Sequence, residues 1–126
     1  MTQSHKASHR PEAKVALVTG GARRVGRAVA LKLAKAGYDL AITYRTSSDA
    51  ANEAVEVIQA LGRQAMAIQV DLSQPEAADH VHRLFTQGFD RLDALINNAS
   101  FFEACPLRSV TDTLFDKAMA VNARAP

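Results

Sequence analysis

The chain reads as an α/β protein: a doubly wound parallel sheet, cut off after its fourth strand, with strand order 3-2-1-4. Three observations predict this. Short apolar runs alternate with helical stretches, strand then helix, four times. Strands separated by helices pair in parallel through right-handed crossovers. The notable polar residues also fall just after the apolar runs, where such a fold lines them along one edge.

The first strand covers residues 15–19, four apolar residues closed by Thr19. A helix follows over 24–36, with Val25, Val29 and Leu33 at i, i+4 and i+8 and Gly37 as its stop. DLAITY at 39–44 is the second strand. Ser48 or Asp49 can cap the next helix, which runs to about Leu61 with Ala51, Val55 and Ile58 on one face. Gly62 ends it. Residues 65–70 form the third strand. Ser73 is a candidate cap for the third helix, and Pro75 is tolerated in its first turn. Val81, Leu84 and Phe85 then face inward, with Gly88 near the helix end. LDALIN at 92–97 is the fourth strand. After a loop containing Pro106, Thr111 or Asp112 starts a last helix whose apolar side is Leu114, Phe115, Ala118 and Val121. There is no internal repeat and no low-complexity tract.

The 126 residues suffice for one domain with one core. A hydrophobic fraction of 48% and a charged fraction of 22% are those of an ordinary globular protein. A formal net charge of +2 is too small to argue for a nucleic-acid or membrane surface. The lone cysteine, Cys105, excludes an internal disulfide and fits a reducing, cytoplasmic compartment. No stretch is long and apolar enough to span a bilayer. Residues 1–13 carry His5, Lys6, His9 and Arg10 but lack the apolar core of a signal peptide. They read as a disordered leader, and 14–126 as the folded part. His80 and His82 are two apart and share no helix face, so no metal site is expected. The pairs Asp90/Asp93 and Asp112/Asp116 read as loop and helix-start carboxylates without an acid–base role.

The turn after the first strand is the main candidate site. Gly20 and Gly26 leave no Cβ where a phosphate or a close strand–helix contact must fit. The helix that opens there presents free N–H groups and a positive dipole end to an anion. Arg23 and Arg24 sit inside the loop, with Val25 beside them. A dinucleotide is the ligand such a Rossmann-type cradle fits. The end of the second strand then selects the cofactor. A carboxylate there would accept bonds from a ribose and repel a 2′-phosphate. This chain has Tyr44-Arg45-Thr46-Ser47 instead. Arg45 and Arg24, with the two hydroxyls, form a phosphate clamp and favour NADPH over NADH.

These residues resemble the short-chain dehydrogenase/reductase family. The family's TGxxxGxG stands here as Thr19-Gly20-Gly21-Ala22-Arg23-Arg24-Val25-Gly26, with Arg24 in the middle glycine's place. Its NNAG stands as Asn97-Asn98-Ala99-Ser100, its adenine-binding Asp as Asp71-Leu72, and its helix asparagine as Val121-Asn122. The matches come in order at family spacing, from about Val15 to the end. Arg24 and the closing Ser100 resemble the pteridine reductases and the related dihydrofolate/dihydromonapterin reductases, as does Tyr44-Arg45-Thr46-Ser47. The resemblance implies that Gly20, Arg23, Arg24, Val25, Asp71, Leu72, Asn98, Ala99 and Ser100 bind the cofactor. It implies that Asn97 lines the ribose side and holds the fourth strand. It places Arg24, Ser100 and Phe102 at a pterin-like substrate, with Phe102 stacking on the ring, although the adjacent Phe101 leaves that register open. Asn122 corresponds to the catalytic asparagine that positions a water in a proton relay.

The family's hydride transfer also needs a tyrosine with a lysine four residues on. Tyr38 and Tyr44 are followed at that spacing by Ile42 and Ser48. The chain is therefore expected to be the cofactor-binding half of a reductase, without turnover alone, and the complete protein to be a homo-oligomer. A 3-oxoacyl-carrier-protein-type ketone reductase is the alternative within the same chemistry, disfavoured by Arg24 and Ser100. A non-catalytic dinucleotide-binding module is the alternative outside it. A sheet that ends at its fourth strand would expose an apolar edge, and the last helix would lose part of its packing partner.

Overall fold

A computed structural model describes residues 12–101 and 103–126. Most of the leader and Phe102 lie outside the described residues. Four strands form one sheet in the order β3-β2-β1-β4. They are β1 (Val15–Val18), β2 (Asp39–Tyr44), β3 (Ala65–Gln69) and β4 (Ala94–Ile96), and every pairing is parallel. The helices are α1 (Arg24–Lys35), α2 (Ser48–Ala60), α3 (Ala77–Gly88) and α4 (Asp112–Met119). A π-helical turn, Ala120–Arg124, continues α4.

The two faces of the sheet follow from the period-two alternation of strand side chains. Ala16, Val18, Leu40 and Ile42 pack on one face against Ala30 and Ala34 of α1 and Ala51, Ala54 and Ile58 of α2. Val15, Leu17, Ala41 and Ile68 pack on the other against Ala77, Val81 and Phe85 of α3. This is the doubly wound arrangement the sequence predicts. Phe85 and Phe89 add a tilted ring pair at 5.5 Å.

Several local expectations change. The buried stripe of α1 is Gly26, Ala30 and Ala34, whereas Val25 is 67% exposed. Small residues win because the helix lies close to the sheet. A Cβ on Gly26 would run into the Gly20 carbonyl oxygen. Neither Ser48 nor Asp49 caps α2; its N-cap is Ser47, which makes no capping bond. Ser73 does not cap α3, which starts at Ala77. Its hydroxyl instead serves Asp71 at 2.6 Å. His80 is engaged rather than merely solvated: one ring nitrogen meets the Gln69 carbonyl at 3.0 Å and the other the Arg83 guanidinium at 3.1 Å. Asp93, read as a plain loop carboxylate, accepts from the Val15 N–H at 2.8 Å and so ties the starts of β1 and β4 together. Thr111 caps α4 by accepting from the Leu114 N–H at 3.1 Å. The outer side of α4 is open, with Phe115 57% and Met119 48% exposed. Leu95 of the edge strand β4 is 48% exposed.

No helix among the described residues is long and apolar enough to cross a membrane.

Candidate functional site

The carboxyl ends of the strands surround a cleft of about 420 Å³. Its floor is the turn between β1 and α1, and three sets of bonds fix that turn. Gly20 takes a left-handed φ of +68°, which glycine adopts without a Cβ penalty. Its N–H donates to the Thr43 hydroxyl at 3.1 Å, and the Gly21 N–H donates to the Thr43 carbonyl at 3.2 Å. On the other side, the Thr19 hydroxyl oxygen accepts from the N–H groups of Asn98 and Ala99, both at 3.0 Å. The Asn98 amide returns two bonds, to the Thr19 carbonyl at 3.1 Å and the Gly20 carbonyl at 3.2 Å. The turn is thus stapled to β2 by Thr43 and to the end of β4 by Asn98. Space is as restricted as the bonds. A Cβ on Gly21 would come within 2.6 Å of Ile42 Cγ2, and one on Gly26 within 2.6 Å of Asn98 Nδ2.

Arg24 has a φ of +52°, the one left-handed non-glycine among the described residues. A side chain there costs about 1–2 kcal/mol of backbone strain. Such strain persists where the surroundings impose it and is common at ligand sites.

The structure brings most of the sequence-predicted residues to one place. Gly20, Arg23, Arg24, Val25, Tyr44 and Arg45 line the cleft, as do Asp71, Leu72, Asn98, Ala99 and Ser100. Thr46 and Ser47 do not. Thr46 is exposed, and the Ser47 hydroxyl accepts from the Arg23 guanidinium at 3.3 Å, which braces Arg23. Asn97 is exposed and off the cleft, so the bonds that hold the end of β4 come from Asn98. Asn122 also stays off the lining. Its side chain clamps the Phe101 backbone, accepting from the N–H at 2.8 Å and donating to the carbonyl at 2.9 Å.

Thr43, Val70, Lys117 and Val121 also stand on the cleft wall, unanticipated from the sequence, and Phe101, the alternative to Phe102, stands there with them. A hydroxyl near the end of an otherwise apolar strand is the signal that could have pointed to Thr43. Nothing local marks Lys117.

The cleft is strongly cationic. Arg23, Arg24, Arg45 and Lys117 face a single acid, Asp71. That carboxyl is held below its usual range, first by the Ser73 hydroxyl and N–H that donate to it, with help from Gln74 and the Arg45 charge, against an opposing push from burial. It therefore stays ionised, and it faces Arg45 as a carboxylate. A π-helical turn adds one more tether, since the Arg124 guanidinium donates to the Ser73 carbonyl at 2.6 Å.

Residues 14–126 match the short chain dehydrogenase family. The chain belongs to that family. Among its relatives, hydroxynaphthalene reductase arp2 of Aspergillus fumigatus is 42% identical over 112 residues, covering 89% of this chain and 41% of the relative. Versicolorin reductase 1 of Aspergillus parasiticus is 38% identical over 117 residues, covering 93% and 45%. A crystal structure of a short chain dehydrogenase from Burkholderia cenocepacia J2315, in complex with NADP, superposes with a TM-score of 0.83 at 44% identity, covering 93% of this chain and 48% of that one. The chain thus spans less than half the length of each of these relatives. The pteridine-type branch is not represented among these relatives.

Proposed function

We propose that the chain is the NADPH-binding portion of a reductase for flat, fused-ring compounds. The observation that carries this is the glycine turn opening on a cleft where three arginines converge. The residues fit the cofactor. The left-handed Gly20 and the absent Cβ at Gly26 keep the floor low enough for a backbone approach to a diphosphate. The start of α1 faces the same space with its N–H groups and dipole. Arg45, just past the end of β2 on the cleft wall, would answer the 2′-phosphate, and its fork suits phosphate oxygens better than a point charge would. Arg23, braced by Ser47, supports that side, with Thr46 at the rim. Asp71 and Leu72 bound the adenine, while Asn98, Ala99 and Ser100 bound the ribose. Bound NADPH would supply a hydride. The NADP held by the Burkholderia relative supports the choice of cofactor.

Two features bear on the substrate. Arg24 and Ser100 match the pteridine-type pattern and favour a pterin, with Phe102 as the stacking ring. The names of the two fungal relatives favour a fused aromatic ring system instead. Both are flat, and Phe101 puts an aromatic side chain on the cleft wall, the kind of surface either would stack on. Asn122 is a positioning residue in this reading, because its amide is engaged in holding Phe101. No Tyr-x-x-x-Lys occurs in the 126 residues, so the chain by itself is expected to bind cofactor without turning over.

Fluorescence titration tests the cofactor assignment. The chain should bind NADPH more tightly than NADH. Losing one charge-assisted contact in Arg45→Ala should weaken NADPH roughly 10- to 100-fold and leave NADH unchanged. Equal affinities of the unaltered chain for the two cofactors would overturn the clamp.

A further inference from the structure

The Lys117 ammonium lies 4.6 Å from the centroid of the Phe101 ring. Both side chains line the cleft. Lys117 forms no ion pair with a described carboxylate. It is a cation parked on an aromatic face, a weak attachment where solvent reaches it. Its place is on the β4 side of the cleft. Phe101 follows β4, and β1 lies between β4 and β2, where Arg45 stands. The Asn122 clamp on the Phe101 backbone holds the ring, and with it the ammonium, at that wall.

We propose that Lys117 is a further cofactor-binding residue, recruited from the Phe101 ring by the diphosphate that joins the two nucleotide halves. This rests on the NADPH reading above. A charge-assisted bond to phosphate outweighs an exposed cation–ring contact, so the ammonium moves to the anion when one is present. Arg45, across the cleft, answers the 2′-phosphate. Lys117 answers a group that NADPH and NADH share.

The experiment titrates NADPH and NADH, by fluorescence, against the unaltered chain, Lys117→Met, Lys117→Arg and Arg45→Ala, at low and high salt. Lys117→Met should weaken both cofactors by the same factor, roughly five- to tenfold, and make binding less salt-sensitive. Lys117→Arg should restore affinity and salt dependence. Arg45→Ala should affect NADPH alone. Thermal melts check that each variant is folded, and Lys117→Gln replaces Lys117→Met if that one is not. Unchanged binding by Lys117→Met, with Arg45→Ala still selective, overturns the role of Lys117 and leaves the NADPH reading standing. Weakening of NADPH alone by Lys117→Met overturns the diphosphate assignment. If the unaltered chain binds neither cofactor, the NADPH reading itself fails and this inference falls with it.

Discussion

Arg24 carries two demands at once. Its backbone needs a left-handed conformation, φ +52°, that glycine would adopt freely. Its side chain lines a cleft rich in cations. The two demands can be separated. Arg24→Gly and Arg24→Ala both remove the guanidinium and should weaken NADPH alike. Only the glycine relieves the strain, although it adds freedom to the unfolded chain. Arg24→Gly should therefore be the more stable of the pair by about 1 kcal/mol in urea denaturation. Equal stabilities would show that the left-handed backbone is not costly there. The glycine turn, Arg45 and Asp71 were legible in the sequence because their chemistry is local: a spacing, a strand end, a charge. Thr43 was not legible, because its meaning comes from Gly20, 23 positions away. The engagement of Asn98 with Thr19 spans 79 positions and was equally hidden.

At the scale of elements, strand and helix order could be read directly, and which face of a helix turns inward could not always be. Periodicity points to the large residues Val25, Val29 and Leu33 of α1. Val29 and Leu33 do pack, half-buried, against the core, but Val25 is exposed, and proximity to the sheet selects Gly26, Ala30 and Ala34 for the fully buried stripe. A close helix crossing rewards small side chains, and hydrophobicity alone does not report distance. The seam between β1 and β4 makes a similar point about charge. Asp93 accepts from the Val15 N–H at 2.8 Å and takes two bonds from the Arg91 guanidinium, at 2.8 and 2.6 Å. Those donors, Arg91 first, hold its carboxyl below the usual carboxylate range. A carboxyl lowered by folding stabilises the native state fully above its unfolded value, and that contribution is lost as pH falls through the native one. Acid should thus loosen this seam below about pH 4, and Asp71 adds a loss of the same sign at the β3 end. Asp93→Asn should flatten the pH dependence of stability in that window and leave it unchanged near neutrality in slope. An acid transition identical to that of the unaltered chain would rule Asp93 out as a contributor.

Across the whole molecule, stability and function sit on different parts of the sheet. Val15, Ala16, Val18, Leu40, Ala41 and Ile42 are fully buried in the two central strands. At the β4 edge no strand residue is fully buried, and α4 itself contains no buried residue. Burial of apolar contacts sets the cost of local opening, so protection against hydrogen exchange should be graded. Amides of β1 and β2 should exchange only by global unfolding. Those of β4 and α4 should exchange through smaller openings, orders of magnitude faster. The cleft spans this boundary, with Gly20 and Arg45 on the stable side and Ala99, Ser100, Phe101 and Lys117 on the labile side. A ligand that bridges both sides favours the closed form by its binding free energy. NADPH should therefore slow exchange in β4 and α4 far more than in β1 and β2. Exchange mass spectrometry with and without NADPH reads this directly. Uniform protection of all four strands without ligand would contradict the gradient. A gradient that NADPH leaves untouched would show that the cofactor is held by the β1–β2 side alone.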